Sequence, residues 1–258
     1  MGCTGIPSLI DYMKKNNVKA DVCLVGDGNY ALRTGNKGHS QWRCTVKGKA
    51  IHSSMALMGT SCNAIEYAAM IITTVREMAK ELKAHDARDH HYRCPYSAMS
   101  TNLIQGGNAV NTVPAEFVFE FSLRVWNSKV LGRMDARIRQ YINEVVVPEM
   151  RKEYAEAAVE LDTYNTCPGF NADESAPFTK LARRVMGTDQ IVKSDGTTEA
   201  GYFQERLGVP TVIIGAGTAR AHEANEYTSV ENLMNSHRVT LQLVTLCTET
   251  DNPFESHL

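Results

Sequence analysis

The chain has 258 residues, 43% of them apolar, so it is long enough to bury two cores of ordinary size or one large α/β core. Its 27 Lys and Arg residues nearly balance 29 Asp and Glu residues, the net charge is -2, and no run of five or six like charges occurs. The sequence therefore lacks the clustered basic residues that are typical of proteins that bind nucleic acid or anionic membranes. We expect a small molecule as the partner.

The cysteines and the apolar runs indicate the compartment. Seven cysteines are scattered along the chain without a Cys-x-x-Cys motif, which favours reduced thiols over a disulfide framework or a zinc knuckle. No run approaches the roughly 18 apolar residues of a membrane span, and the first residues lack a basic region followed by an apolar stretch. We therefore expect a cytoplasmic protein that is neither membrane-spanning nor secreted.

The first forty residues have the pattern of an α/β domain. A helix is predicted over about residues 6–16, followed by a short apolar strand over 20–26 that ends in glycine. Such a strand is typical of a buried parallel sheet, and the residues that follow it would lie at the edge where α/β sheets bind ligands.

From about His39 the pattern changes to strands with one polar face. Apolar residues alternate with polar ones near 39–47 and most clearly over 116–125, where Phe117, Phe119 and Phe121 share one face. Apolar residues spaced by three and four predict helices over about 65–82 and 131–145. With strands near 97–104 and 159–164, the order is βαββαβ, the ferredoxin-like arrangement of two helices on one face of an antiparallel sheet.

After residue 166 the α/β pattern returns, with a helix near 177–186, a strand over 209–215 and a last helix over about 230–247. The sequence thus predicts an α/β domain made of residues 1–37 and 166–258. A smaller domain, residues 38–165, would be inserted between these two parts.

Two polar residues follow predicted buried strands. Asp27 comes directly after the first strand, and His222 follows the 209–215 strand through Gly215 and Gly217. A carboxylate and an imidazole that converge there could bind zinc. By spacing alone, a turn-capping role for Asp27 and a loop position for His222 are the more ordinary interpretations.

Other histidines are less specific. His52 follows the turn at Gly48, at the end of the inserted domain's first strand, and a lone histidine there is usually a surface residue. His85 and Asp89 stand four apart in a His- and Asp-rich segment that ends with His90 and His91. We interpret this segment as a solvated loop, because it offers no apolar surroundings to orient metal ligands.

Whole phrases of the chain resemble one family, the zinc amidohydrolases that include acetylornithine deacetylase, succinyl-diaminopimelate desuccinylase, aminoacylases and glutamate-type carboxypeptidases. The phrases lie at 46–54 (Val-Lys-Gly-Lys-Ala-Ile-His-Ser-Ser), 63–69 (Asn-Ala-Ile-Glu-Tyr-Ala-Ala) and 106–114 (Gly-Gly-Asn-Ala-Val-Asn-Thr-Val-Pro). Two more lie at 196–203 (Gly-Thr-Thr-Glu-Ala-Gly-Tyr-Phe) and 215–227. The resemblance covers nearly the whole chain. The Thr-Glu-Ala motif at 198–200 is most similar to the acetylornithine deacetylase branch of the family.

The resemblance implies roles for individual residues. His222 would be the last metal ligand, and Asp27 would be a ligand although Gly-Asp-Gly-Asn replaces the family's Gly-Glu-Pro-Thr. His52 would polarise the scissile carbonyl, often in the active site of the partner subunit. The substrate's oxygens or carboxylate would be held by Asn111 and Arg124, and Thr198 and Gly217 would line the pocket.

The resemblance also implies a homodimer through the inserted domain and two zinc or cobalt ions in the complete site. Relatives carry a His-x-Asp metal pair and an Asp-Glu-Glu phrase just before the Gly-x-x-Gly that stands here at 2–5. We therefore expect the amino-terminal portion of the metal-binding domain to be missing, with the first histidine, the bridging aspartate and the general base. The metal-dependent chemistry is therefore expected of the complete protein and not of this chain alone.

The leading hypothesis is a metal-dependent amide hydrolase that removes an N-acyl group from an amino acid, like acetylornithine deacetylase. A relative that acts on N-succinyl-diaminopimelate or on a peptide is the alternative within the same class. The alternative from a different class is a truncated homologue that dimerises and binds ligand without catalysis.

Overall fold

The computed structural model describes residues 2–217 and 220–248. Within them the chain forms two compact units. Unit 1 comprises residues 2–38, 90–93, 167–217 and 220–248, and unit 2 comprises residues 39–89 and 94–166. Each unit has its own apolar core.

Helices and strands occur in both units. The helices are α1 (Ile6–Lys15), α2 (Ala64–His85), α3 (Lys129–Tyr141), α4 (Val147–Glu153), α5 (Pro177–Met186), α6 (Ala200–Tyr202) and α7 (Val230–Thr248). The strands are β1 (Cys23–Val25), β2 (Leu32–Arg33), β3 (Gly35–Asn36), β4 (Gly38–Lys47), β5 (Ile51–His52), β6 (Ala98–Gly106), β7 (Thr112–Val113), β8 (Glu116–Val125), β9 (Ala158–Cys167), β10 (Phe170–Asn171), β11 (Lys193–Ser194) and β12 (Thr211–Ile214). None of the helices in the described residues has the length and apolarity needed to cross a membrane.

Unit 2 is a four-stranded sheet with helices on one face. The strands lie in the order β6-β8-β4-β9, and α2 and α3 connect them in the sequence order βαββαβ. The alternation that predicted β8 buries Phe117, Phe119 and Phe121 on its helix-covered face. The predicted ferredoxin-like arrangement within a mixed α/β chain is confirmed.

The core of unit 2 is aromatic at its centre. Trp42 of β4 stacks on Phe121 of β8 with ring centroids 5.0 Å apart. Helix α2 begins where the Asn63 side chain accepts a hydrogen bond from the Ile65 N–H at 3.1 Å, and its buried stripe packs on this aromatic layer. Helix α3 continues through a π turn (Ile142–Val146) into α4, so one long helical segment covers the rest of the sheet.

A partly buried hydrogen-bond network around Asp135 ties α3 to the sheet of unit 2. Trp42 Nε1 donates to Asp135 Oδ1 at 2.7 Å, and Arg139 Nε donates to Asp135 Oδ2 at 2.9 Å. Burial by itself would raise the pKa of the Asp135 carboxyl, but the hydrogen bonds from Arg139 and Trp42 outweigh it and lower that pKa. The Asp135 carboxylate is therefore part of the fold of unit 2.

The first sheet of unit 1 has three strands in the order β1-β12-β2. Strands β1 and β12 are parallel, as their apolar, glycine-terminated sequences predicted, but β2 joins antiparallel to β12. One face packs on α5 and α7 through Phe178, Leu181 and Leu243. On the other face Ile213 packs with Phe170 and neighbouring residues. The carboxyl end of β1 is thereby held beside that of β12.

A second small sheet of unit 1 has the order β10-β3-β11 and surrounds a buried lysine. Lys37, directly after β3, is 1% exposed and pairs with Asp195 at 2.8 Å. Its ammonium also lies 5.4 Å from the ring centroid of Tyr92. Residues 90–93 fall within the inserted segment predicted from the sequence, but in the structure they group with unit 1, because the buried Tyr92 ring packs against Lys37 and Lys193.

Candidate active site

Asp27 is presented by the turn that follows β1. Its backbone N–H donates to Val25 O at 3.2 Å, and its carbonyl accepts from Arg33 Nη1 at 3.1 Å, so the turn is fixed through backbone atoms. The Asp27 side chain is exposed, and Asp27 does not stand at the start of a helix that its carboxylate could cap. A carboxylate at the carboxyl end of a parallel strand is well placed for a ligand.

The glycines after β12 bring a second loop against the Asp27 turn. The Gly217 N–H donates to Gly28 O at 3.0 Å, and a Cβ on Gly215 would lie 1.9 Å from the same oxygen. Only a glycine permits this approach, so the Gly-x-Gly phrase has a structural cause. The structure therefore brings two of the predicted site residues, Asp27 and Gly217, into neighbouring loops.

A cavity of about 350 Å³ opens beside these loops in unit 1. It is lined by uncharged polar and aromatic groups, namely Asn29, Tyr30, Gly217, Tyr227, Thr228, Ser229 and Asn232. A left-handed backbone at Gly217, with φ of 77°, leaves room for Asn232 where a Cβ would clash. The predicted place of Gly217 in a pocket wall thus has a concrete geometry, while its role toward substrate stays a prediction.

His222 lies in the loop between β12 and α7. Its side chain is exposed, its φ is 65°, and its backbone N–H donates to Glu226 Oε2 at 3.2 Å. Arg220 and Asn225 also have positive φ, so the loop turns back on itself around His222. This backbone presents the imidazole outward from the loop.

The described residues do not fit a metal centre by themselves. Among residues 2–217 and 220–248, no group of three or more His, Cys, Asp or Glu side chains is placed to hold a metal ion. Zinc and similar ions take at least three protein ligands in catalytic sites. Asp27 and His222 could supply two, so their assignment as metal ligands stays a prediction.

His52 lies at the end of the short β5–β7 ladder of unit 2. The Ser54 N–H donates to His52 Nδ1 at 3.3 Å, and the Ser54 hydroxyl lies 2.8 Å from the same nitrogen. With Nδ1 accepting, the neutral imidazole carries its proton on Nε2, on the outward side of the ring. The Ser53 N–H donates to Asn111 O at 2.9 Å, so the predicted residues His52 and Asn111 are neighbours.

Arg124 lies far from that pair within unit 2. It stands eight residues beyond Glu116 on β8, roughly 26 Å at about 3.3 Å per residue, whereas Asn111 precedes the start of the strand. The neighbour of Arg124 is His39, since burial and then the Arg124 charge lower the pKa of that imidazole. Unit 2 therefore carries the predicted site residues at its two ends.

Thr198 is buried and its hydroxyl is used inside unit 1. Its Oγ1 donates to Asn36 Oδ1 at 2.9 Å and accepts from the Ala200 N–H at 3.2 Å, which caps the short helix α6. Contact of the Thr198 hydroxyl with substrate, as the resemblance implies, would require one of these bonds to open. Glu199, the next residue, is a polar side chain of this region that the sequence analysis did not single out.

A pair of cysteines lies beside Glu199. Cys3, just before α1, packs in one apolar cluster with Cys167 and Tyr202. A hydrogen bond from the Cys167 thiol lowers the pKa of Cys3, although burial and the Glu199 carboxylate oppose this effect. Scattered cysteines 164 positions apart leave no motif, so the sequence offered no signal for this contact.

The cavity beside Gly217 in unit 1 is smaller than a cavity in unit 2. A cavity of about 690 Å³ lies between α2 and α3 of unit 2, and its lining contains none of the predicted site residues. After His85, the residues Arg88, His90 and His91 are exposed, and the half-buried Asp86 accepts through Oδ2 from the Ser97 N–H at 3.0 Å. The interpretation of this segment as a solvated loop stays a prediction.

Residues 34–150 match the model of the peptidase dimerisation domain. Acetylornithine deacetylase of Myxococcus xanthus is 26% identical over 246 residues, which are 95% of this chain and 61% of that protein. Succinyl-diaminopimelate desuccinylase 1 of Alteromonas mediterranea is 24% identical over 87% of this chain and 56% of its own length. The resemblance inferred from the sequence is confirmed, and the chain spans about three fifths of the length of these relatives.

Solved structures agree on the fold. The aminopeptidase PepT of Bacillus cereus superposes with a TM-score of 0.72 over 93% of this chain and 61% of that chain, at 18% identity. A tripeptidase of Staphylococcus aureus gives a TM-score of 0.68 over 96% of this chain and 62% of that chain, also at 18% identity. At such identity the likeness concerns the fold alone.

Proposed function

We propose that the complete protein is a metal-dependent amide hydrolase. The chain matches a peptidase dimerisation domain and resembles amide hydrolases along nearly all its length. The proposed reaction of the complete protein removes an N-acyl group from an amino acid, as the name of the Myxococcus xanthus relative states for acetylornithine. The observation that carries the proposal is the resemblance over 95% of the chain, which includes both units rather than the dimerisation domain alone.

We assign the metal-binding role to the domain of residues 1–37 and 166–258, and the dimerisation role to residues 38–165. Asp27 and His222 are the proposed ligands for zinc or cobalt in the first domain. Since these two residues do not suffice for a metal centre, the remaining ligands would come from outside the described residues.

His52 is the proposed hydrogen-bond donor to the scissile carbonyl. The Ser54 contacts hold Nδ1 as the acceptor, which leaves Nε2–H to donate to an oxygen that gains negative charge. Asn111 is its neighbour and is proposed to bind the same end of the substrate. Arg124, with its planar guanidinium, is proposed to bind the substrate carboxylate.

A homodimer through unit 2 would use both ends of that unit. Arg124 lies roughly 26 Å along β8 from Glu116, and His52 pairs with Thr112, which precedes the start of that strand, so one copy would have to bring two ends of unit 2 to one small substrate. With two copies, His52 of one and Arg124 of the other could serve one site. Strand β6 suits such an interface, since it is an edge of the sheet and exposes Leu103 and Ile104.

A cytoplasmic location is proposed together with this function. None of the seven cysteines, which all lie in the part of the chain that the structure describes, forms a disulfide, and thiols stay reduced in a reducing compartment.

The test is hydrolysis of N-acetylornithine, N-succinyl-diaminopimelate and a tripeptide, each with added zinc or cobalt. The chain is assayed beside a form extended to the length of the relatives. We expect N-acyl hydrolysis by the extended form, lost in His52→Ala and in His222→Ala and retained in the matched exposed control His85→Ala. Inactivity of every form on all three substrates would overturn the proposal, and tripeptide cleavage alone would shift it to a peptidase.

A non-catalytic homologue is the second candidate. It is favoured by one observation, the absence of a three-ligand metal group among the described residues. Equilibrium dialysis separates the two candidates, because a hydrolase should bind zinc in a manner that depends on His222 and Asp27. Binding of N-acetylornithine without zinc uptake would support the non-catalytic candidate.

A further inference from the structure

We propose that Cys3 and Cys167 are a modification site: the two thiols form a reversible intramolecular disulfide on reaction with a low-molecular-weight disulfide. The proposal does not depend on the hydrolase activity, because it concerns two side chains of unit 1 that are already in contact. Nothing in the proposed hydrolysis uses either thiol.

Cys3 and Cys167 pack in the same part of unit 1. Cys167 ends strand β9 and Cys3 precedes α1, yet both belong to one apolar cluster with Ile10 and Tyr202. Cys3 packs against the buried cluster that contains Cys167, and a hydrogen bond between the two cysteine side chains lowers the pKa of Cys3. A disulfide needs the two sulfurs to move to about 2 Å, which side-chain rotation can supply when the thiols already touch.

The two thiols differ in their exposure to solvent. Cys3 is half-buried and can be reached by a small oxidant, whereas Cys167 is fully buried. The hydrogen bond from Cys167 also lowers the pKa of Cys3, which raises the population of the thiolate that reacts. Cys3 is therefore the attacking thiol and Cys167 the resolving thiol.

The chemistry balances as two thiol–disulfide exchanges with oxidised glutathione. The Cys3 thiolate attacks one glutathione sulfur, which forms a mixed disulfide and releases one glutathione thiolate. The Cys167 thiolate then attacks the Cys3 sulfur, which forms the protein disulfide and releases a second glutathione thiolate. Two protein thiols lose their protons and are oxidised, and one glutathione disulfide is reduced to two thiols.

The site lies beside the proposed active site of unit 1. Cys3 is also hydrogen-bonded to the Glu199 carboxylate, and Cys167 Sγ lies 3.6 Å from Thr198 O. A disulfide would remove the Cys3 S–H that Glu199 accepts and would tie the start of α1 to the segment that caps α6. Oxidation would thus change the surroundings of Thr198.

The test is a mass measurement on the full chain. Folded protein is incubated with oxidised glutathione, quenched by alkylation at low pH, and digested with trypsin without reduction. Cys3 falls in peptide 1–14 and Cys167 in peptide 153–180, and neither peptide contains another cysteine. We expect these two peptides to be linked, with loss of two hydrogen atoms per chain and full reversal by dithiothreitol.

Three variants sharpen the result. In Cys167→Ser, Cys3 should accumulate as the glutathione mixed disulfide, because the resolving thiol is absent. In Cys3→Ser, the buried Cys167 should stay unmodified in the folded protein. The control Cys23→Ser removes another half-buried thiol, whose pKa burial raises to about 11, and should form the link as well as the wild type.

Three outcomes would overturn the proposal. They are no reaction of the wild type, a stable mixed disulfide on wild-type Cys3 without a link, and links of equal yield among other cysteines. Repetition in urea tests the role of the fold, because unfolded chains should link cysteines without preference. A preference that persists in urea would also contradict the argument, since it would not depend on the folded contact.

Discussion

The buried ion pair between Lys37 and Asp195 allows a sharp test of how unit 1 is held together. Asp195→Asn would leave the Lys37 ammonium, which is 1% exposed, without its carboxylate partner at 2.8 Å. Removal of one partner from a buried pair costs about 3–5 kcal/mol, because an uncompensated charge remains in the interior. The Asp195 side chain is 36% exposed, so solvent screening lowers our expectation to about 2–3 kcal/mol.

The reverse substitution should cost less. Lys37→Met removes the buried charge and keeps most of the apolar stem, while the partly exposed Asp195 carboxylate can be solvated by water. We expect a loss of about 1 kcal/mol or less in the free energy of unfolding. The prediction is thus an asymmetry in which the change at the surface partner is the more damaging one.

Hydrogen exchange with mass spectrometry in increasing urea can measure this asymmetry. Both tryptophans, Trp42 and Trp126, lie in unit 2, so their fluorescence does not follow unit 1, whereas peptides report each unit separately. The control Glu77→Gln breaks a surface pair with Lys80 at 2.6 Å and should change stability by less than about 0.5 kcal/mol. Equal losses in Asp195→Asn and Lys37→Met, or a loss in Asp195→Asn as small as in the control, would refute the reasoning.

Three further predictions concern other parts of the chain. Gly215→Ala should destabilise unit 1 by about 3 kcal/mol, since its Cβ would lie 1.9 Å from Gly28 O, whereas Gly26→Ala has open space and should cost little in the same urea titration. The pKa of Asp135 is lowered in the folded state, so its contribution is present above the ordinary value near 4 and is lost as pH falls below it. Acid titration of unit 2 by tryptophan fluorescence should therefore show a steeper loss of stability below about pH 4 in the wild type than in Asp135→Asn. Leu103→Lys should convert a dimer to a monomer in analytical ultracentrifugation, because a charge on the exposed face of edge strand β6 opposes pairing, and an unchanged sedimentation coefficient would argue against that interface.

Local periodicity was enough to predict the longer elements. The alternation of Phe117, Phe119 and Phe121 predicted β8, and the apolar stripe of α2 predicted a helix that ends within a few residues of His85. These patterns depend only on which face of an element is buried, so they are readable from one sequence. The βαββαβ order, and with it the ferredoxin-like fold, followed from them.

The short strands and the pairing partners could not be predicted in this way. Strands β2, β3, β10 and β11 have two residues each, which is too short for any period to show. The antiparallel addition of β2 to β12 depends on the turn after Asp27 and not on a pattern within either strand. Residues 90–93 joined unit 1 through Tyr92, whose ring lies over two lysines from distant parts of the chain.

The sequence allowed the proposed site residues to be named but not their arrangement. The proximity of Asp27 to Gly217, and of His52 to Asn111, is a property of the folded loops. So is the position of Arg124 near the far end of β8 from Asn111, on which the proposed two-copy site depends. The burial of the Thr198 hydroxyl under Asn36 had no signal in its sequence neighbourhood.

The order of the longer elements, the family resemblance and the residue types available for chemistry could all be inferred from the sequence. Each of them depends on local periodicity or on short motifs, which are visible in a single chain. The tertiary structure alone decided that Lys37 is buried against Asp195 and that Cys3 meets Cys167. Each pair joins residues more than 150 positions apart. Contacts at that separation arise from the packing of whole elements, and no periodicity within either segment carries them.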